Sequence, residues 1–209
     1  MLGLAVRPAT IADTPIATSL ILMTMGQFAD YLFGADNPTK VVEVISILFA
    51  QPLNRFSYQF TDIVNKDNQP AGIMISYPGR TMNRLGLSMG KQLWSIYGAR
   101  GFVRFVRRVL PLAFMREASA DEYFINTLAV FPDFQGKGIG TYLLSYAENK
   151  AREMHYNKCA LSVEVSNPRA RTLYERLGYR IMRTIEFDWP KQFSGTPGYH
   201  RMVKVIESF

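Results

Sequence analysis

The order of predicted elements makes the chain a mixed α/β domain carrying one helical insertion. Three observations predict it. Apolar runs of strand length alternate with runs of helical period. Two strand–helix–strand stretches follow one another after residue 122, which favours neighbouring, roughly parallel strands joined by helices. A helical segment of about forty residues, Pro78 to Asp121, separates the third predicted strand from the fourth. The 209 residues suffice for one good hydrophobic core, so a single domain, 1–209, is expected.

In chain order, Leu2 to Val6 is short and apolar and reads as a first strand. Thr10 and Asp13 are helix-capping residue types ahead of an apolar helical pattern from Pro15 to Phe33. Asn37-Pro38 opens a second helix, to about Phe49, by the usual cap-then-proline signal. Phe56 to Val64 and Ala71 to Tyr77 read as strands, with the polar run Lys66 to Pro70 turning the chain between them. After the insertion come a strand from Glu122 to Val130, closed by Pro132, and a helix from about Thr141 to Met154. Ala160 to Val165 is the next strand. Asn167-Pro168 opens a helix that Gly178 ends. Arg180 to Phe187 and Arg201 to Ile206 read as the last two strands.

Composition excludes several classes. Apolar residues make up 48% and charged residues 20%, both ordinary for a soluble globular protein. No run of 18 apolar residues exists, so no transmembrane segment is expected, and Met1 to Arg7 does not read as a signal peptide. One cysteine, Cys159, allows no intrachain disulfide and fits a reducing cytoplasm. The net charge of +7 is concentrated. Between Pro78 and Asp121 eight basic residues face only Glu117 and Asp121, so the basicity belongs to one segment and does not point to nucleic-acid binding. Within that segment Phe102, Phe105, Val106 and Val109 recur at helical spacing beside Arg100, Arg104, Arg107 and Arg108. His155 and His200 are far apart and no cluster has metal-ligand spacing, so no metal is expected. Cys159, Trp94 and Trp189 read as packing residues.

The informative turn is Gln135-Gly136-Lys137-Gly138-Ile139-Gly140-Thr141, between a strand and a helix. Glycines let the backbone turn tightly and approach a ligand, and a helix N-terminus offers free N–H groups and the positive end of its dipole to an anion. A phosphate-bearing ligand fits that chemistry. A Walker loop does not match, because Lys137 is followed by Gly138. A dinucleotide fingerprint does not match either, because the glycines are spaced G-x-G-x-G.

The pattern Q/R-x-x-G-x-G/A fits at Gln135, Gly138 and Gly140. Leu128-Ala129-Val130-Phe131-Pro132 precedes it, and Leu161 to Asn167, Ala170 and Leu173-Tyr174-Glu175-Arg176-Leu177-Gly178-Tyr179 follow it. In order and spacing these blocks resemble the GNAT superfamily of N-acetyltransferases. The resemblance covers Glu122 to Tyr179. It implies a mostly antiparallel, mixed central sheet flanked by helices, with acetyl-coenzyme A as acyl donor and a small-molecule or peptide amine as acceptor. A homodimer is compatible with it. It also implies that the turn from Gln135 to Thr141 cradles the pyrophosphate, and that the backbone of Leu128, Ala129 and Val130 pairs with the pantetheine arm. Asn167 and Ala170 then belong to the cofactor site, Asn167 also being a natural helix cap.

Transfer of an acetyl group from a thioester to an amine needs three things. The amine, with an ordinary pKa of about 10.4, must lose a proton. The thioester oxygen needs a donor, for which the N–H of Val130 is placed by the resemblance. The leaving thiolate needs a proton. Tyr174 matches the family's general acid, the alternative being a core aromatic. The base is less defined. Ser162 stands where some relatives carry a carboxylate. Glu164, two residues on and so on the same strand face, is the candidate, with Glu122, Asn126 or a water chain as alternatives. A non-catalytic acyl-coenzyme-A sensor is the competing function. The insertion is expected beside the acceptor entrance.

Overall fold

The computed structural model describes residues 3–34, 37–110, 117–186 and 197–206. Leu2, Arg116, Phe187 and Trp189 lie outside them. Seven strands form one sheet: β1 Leu4–Pro8, β2 Thr61–Lys66, β3 Gln69–Pro78, β4 Tyr123–Val130, β5 Lys158–Glu164, β6 Arg180–Glu186 and β7 Gly198–Val205. Their order is β1-β2-β3-β4-β5-β7-β6, and only β4–β5 is a parallel pair. The helices are α1 Thr14–Met25, a single turn α2 Gln27–Ala29, α3 Pro38–Ala50, α4 Met82–Val109, α5 Ile139–Glu153 and α6 Pro168–Arg176. The predicted fold class stands, including the helical insertion between the third and fourth strands.

Strand alternation divides the core in two. Ile63, Ile73, Ile75, Tyr77, Phe124 and Ala160 pack with α1, α3 and α4 on one face. Val64, Met74, Tyr123, Ile125, Leu161 and Val163 pack with α5 and α6 on the other. The Asn-Pro starts work as read. Asn37 accepts from the N–H of Thr39 at 3.0 Å, and Asn167 accepts from that of Ala170 at 3.1 Å.

Four details differ from the sequence reading. The helix read as Pro15 to Phe33 stops at Met25, because Gly26 takes φ +49° and turns the chain before a wide turn over Asp30–Gly34. The strand read from Phe56 starts at Thr61, because the Ser57 hydroxyl accepts from the N–H of Gln59 and opens a 3-10 turn over Tyr58–Phe60. The second strand–helix–strand unit does not join neighbours: β7 inserts between β5 and β6, antiparallel to both. The reason is burial. No residue of β6 is buried, whereas Met202 of β7 is fully buried, so β6 takes the edge. Last, α4 breaks at Gly98 (φ +61°), and of its expected apolar stripe Phe102, Phe105 and Val109 pack inward while Val106 is exposed.

The ends of the insertion are stapled together. The N–H of Gly79 donates to the carbonyl of Glu122 at 2.8 Å, and a side chain at Gly79 would collide with the Ser119 carbonyl. The insertion thus leaves and re-enters the sheet at one point. Among the described residues no single helix is long and apolar enough to cross a membrane.

Candidate active site

Strands β4 and β5 pair only at Tyr123–Ile125 opposite Cys159–Leu161, although β4 runs on to Val130 and β5 to Glu164. Beyond that point they part. The register of β4 against β3 shows why: Ser76 faces Ile125 and Ile75 faces Thr127, so Asn126 is an extra, bulged residue that bends the strand. The bulge is pinned by polar groups. The Asn126 Oδ1 accepts from Arg55 Nη2 at 3.1 Å and from the Tyr77 hydroxyl at 3.0 Å, and Arg55 also donates to Glu117 at 2.5 Å. Burial pushes the Tyr77 phenol up to about 12, so it stays a donor at neutral pH. Past the bulge, Leu128, Ala129 and Val130 form one wall of the opening.

The wall leads into the glycine turn. Gly136 (φ +74°) and Gly138 (φ +80°) occupy left-handed backbone, and a Cβ on either would meet open space. Gly138 is the N-cap of α5 and has no side chain to satisfy the first amides of the helix, which are left facing outward. Gly140 differs. Its missing Cβ would lie 3.4 Å from Leu173 Cδ2 and 3.9 Å from Leu128 Cδ2, so it lets α5 pack close to α6 and β4. Ile139 is buried in the core, while Thr141 is half-buried in the first helical turn. The Gln135 side chain turns back to donate to the carbonyl of Val130 at 3.0 Å, and Lys137 lies over the Phe134 ring, 5.5 Å from its centroid. Those two side chains therefore shape the turn.

Helix α6 closes the same side. Ala170 is half-buried against α5, and Tyr174 is buried with its ring 6.1 Å from that of Tyr179. Burial pushes the Tyr174 phenol up to about 12.

Glu164 lies on the opposite face of the sheet, since its neighbour Val163 belongs to the α5 side. Its carboxylate accepts from Tyr199 at 3.4 Å and from Ser166 at 3.3 Å, and burial raises its pKa. Burial, then the carboxylates of Glu164 and Glu117, raise the Tyr199 phenol strongly. Phe28, from the α1–α3 connection, sits edge-on to Tyr199 at 6.1 Å. The alternative base Glu122 is otherwise engaged: Arg201 donates to both of its oxygens and the Ser119 N–H to one. Asn126 holds the bulge. The sequence reading missed Arg55, Tyr199 and Phe28. Arg55 reads as loop, Phe28 as an ordinary helix residue, and Tyr199 precedes the strand as it was read.

The expected donor residues thus lie on β4 beyond its pairing with β5, on the glycine turn and on α6, and Glu164 lies on the opposite face of the sheet. Cys159 is a buried core residue with its thiol pushed up to about 12 by burial. Trp94, expected to pack, is half exposed, edge-on to Phe102.

Comparison with known proteins agrees with this fold. A mycothiol acetyltransferase of Propionibacterium freudenreichii subsp. shermanii is 38% identical over 60 residues, 29% of this chain and 19% of that protein, so the match spans under a fifth of that relative. The crystal structure of an N-acetyltransferase from Staphylococcus aureus Mu50 superposes with a TM-score of 0.72 at 24% identity, covering 95% of this chain and 99% of that one. A second acetyltransferase structure gives 0.71 at 23% identity, covering 97% and 100%. The sequence model of the acetyltransferase (GNAT) family matches residues 53–179, a span that includes the arginine that pins the bulge and ends at the tyrosine after α6, and the chain belongs to that family of N-acetyltransferases.

Proposed function

We propose that the chain transfers an acetyl group from acetyl-coenzyme A directly to a primary amine in a ternary complex, without a metal. The observation that carries this reading is the parting of β4 and β5 together with the capless, glycine-built start of α5. An extended pantetheine arm fits beside Leu128, Ala129 and Val130 as an added strand. The pyrophosphate fits against the amides of Gly136 to Thr141, helped by the helix dipole.

The acceptor enters from the face of Glu164, Tyr199 and Phe28. Glu164 takes the proton of the amine; its raised pKa makes it a better match to a neutral-pH proton transfer than an ordinary carboxylate. The amine nitrogen bonds to the thioester carbon while the Val130 N–H stabilises the oxyanion. The carbon–sulfur bond then breaks, and the Tyr174 hydroxyl supplies the proton to sulfur. The burial that raises this phenol also disfavours a thiolate beside it, so the transfer is not governed by the thiol's value in water.

A thiol-release assay with acetyl-coenzyme A and a panel of amines tests the reading. Turnover with at least one amine class supports it. Coenzyme binding without turnover across polyamines, amino acids, aminoglycosides and peptides would replace it with the sensor reading.

A further inference from the structure

Helix α4 contains six basic residues and no acidic one. None of its basic side chains makes an ion pair among the described residues; the eight pairs present all lie elsewhere. Part of this uncompensated charge borders a cavity of about 300 Å³ between α4 and the chain that joins α1 to α3. Its floor is apolar, with Leu32, Phe33, Ile96 and Phe105. Its polar side gathers Arg104 and Arg108 from α4 and Lys40 from α3, with Tyr97 beside them.

These groups are held in place. The Tyr97 hydroxyl donates to the carbonyl of Phe33, and the Phe105 ring stacks on that of Phe33 at 5.9 Å. Lys40 shares its charge with Glu43 at 3.0 Å, which leaves the two guanidiniums as the unpaired charge among the described residues lining the site. Asn37 already caps the amides of Thr39 and Lys40, so α3 adds only the positive end of its dipole. Two arginine forks over an apolar floor suit an anion with several acceptor oxygens on a short apolar body. The cavity lies on the α1, α3 and α4 face of the sheet, away from the glycine turn that starts α5.

We propose that this cavity is a second binding site, for an organic phosphate monoester whose apolar part lies on Phe33, Ile96 and Phe105. Two sources present that chemistry: a free phosphate ester and the headgroup of an anionic lipid. The lipid source gains from Val103, Val106 and Leu110, an exposed apolar stripe beside Arg100, Arg104 and Arg107.

The test is titration of the whole chain with phenyl phosphate by calorimetry, with dephospho-coenzyme A, which has the pyrophosphate but no phosphate monoester, in excess so that any phosphate cradle at α5 is filled. In parallel, the chain is sedimented with vesicles of phosphatidic acid and of phosphatidylcholine. Saturable binding of phenyl phosphate identifies a free ester; sedimentation with phosphatidic acid vesicles alone identifies the headgroup. In either arm Arg104→Gln with Arg108→Gln weakens binding about tenfold or more, the loss expected for one or two charge-assisted hydrogen bonds. Arg100→Gln with Arg107→Gln, outside the cavity, changes phenyl phosphate binding less than threefold and lowers sedimentation with phosphatidic acid less than the cavity pair does. Neither probe binding, or equal loss in both double variants, overturns the proposal. Arg104 is exposed and Arg108 half-buried, so both variants are expected to fold, which circular dichroism checks.

Discussion

Gly138 and Gly140 carry opposite expectations, although the sequence pattern treats them alike. Gly138 has φ +80° and open space where a Cβ would go. An alanine there meets no atom but occupies left-handed backbone, which costs an L-residue about 1–2 kcal/mol. For a chain of this size that lowers Tm by roughly 2–8 °C. If the turn holds a pyrophosphate, backbone relaxation also withdraws a charge-assisted hydrogen bond of about 1.5–3 kcal/mol, weakening coenzyme A by about 10- to 100-fold. Gly140 has ordinary helical backbone, and its Cβ would make a 3.4 Å contact with Leu173. The helix propensity gained by Gly140→Ala is about 1 kcal/mol and offsets that crowding, so stability is nearly unchanged and affinity shifts less than about threefold. Calorimetric titration with coenzyme A and thermal melts of both variants decide the matter. Unchanged affinity in Gly138→Ala, or equal loss in both, would refute the reasoning.

Three further outcomes are expected. Tyr174→Phe lowers kcat by about 10²- to 10⁴-fold with coenzyme affinity nearly constant, and an unaltered rate under chemistry-limited conditions removes Tyr174 from the mechanism. The kcat/KM profile has an acidic limb above the ordinary carboxylate range, because burial raises Glu164 and protonation removes the base; Glu164→Gln abolishes that limb, and a variant that keeps it points to another base. Asp13, held at about 2 mainly by its hydrogen bonds to Arg7, contributes stability that is present above the unfolded value near 4 and lost as pH falls toward 2. Asp13→Asn therefore costs about 1–2 kcal/mol at pH 7, discounted because Arg7 is 41% exposed, and denaturant midpoints of variant and parent converge near pH 2.

The donor half of the proposed site is legible in the sequence because it is written in backbone chemistry. Positive-φ glycines, a helix start and an Asn-Pro cap are local, and local signals survive in sequence. The acceptor half of the proposed site is assembled from residues far apart: Arg55 reaches Asn126 and Glu117, and Phe28 reaches Tyr199. No spacing rule connects these positions. The misplaced β7 had a usable signal, since Arg180 to Glu186 alternates too weakly to bury a face and belongs at an edge. The break at Gly26 had one too, a glycine inside an otherwise apolar helix.

The insertion is tied to the proposed acceptor face by contact. The Tyr31 hydroxyl donates to the carbonyl of Arg108 in α4; the Tyr31 ring stacks on Phe28 at 6.5 Å; Phe28 meets Tyr199; and Tyr199 donates to Glu164. At the other end Glu117, near the end of the insertion, anchors Arg55 and so the β4 bulge. The bulge is what separates β4 from β5. A change in the seating of the insertion therefore bears on both halves of the site at once, on the opening through the Glu117–Arg55–Asn126 network and on the proposed base through the aromatic chain. This gives the most basic segment of the chain a structural reason to sit where it does, whichever acceptor the enzyme takes.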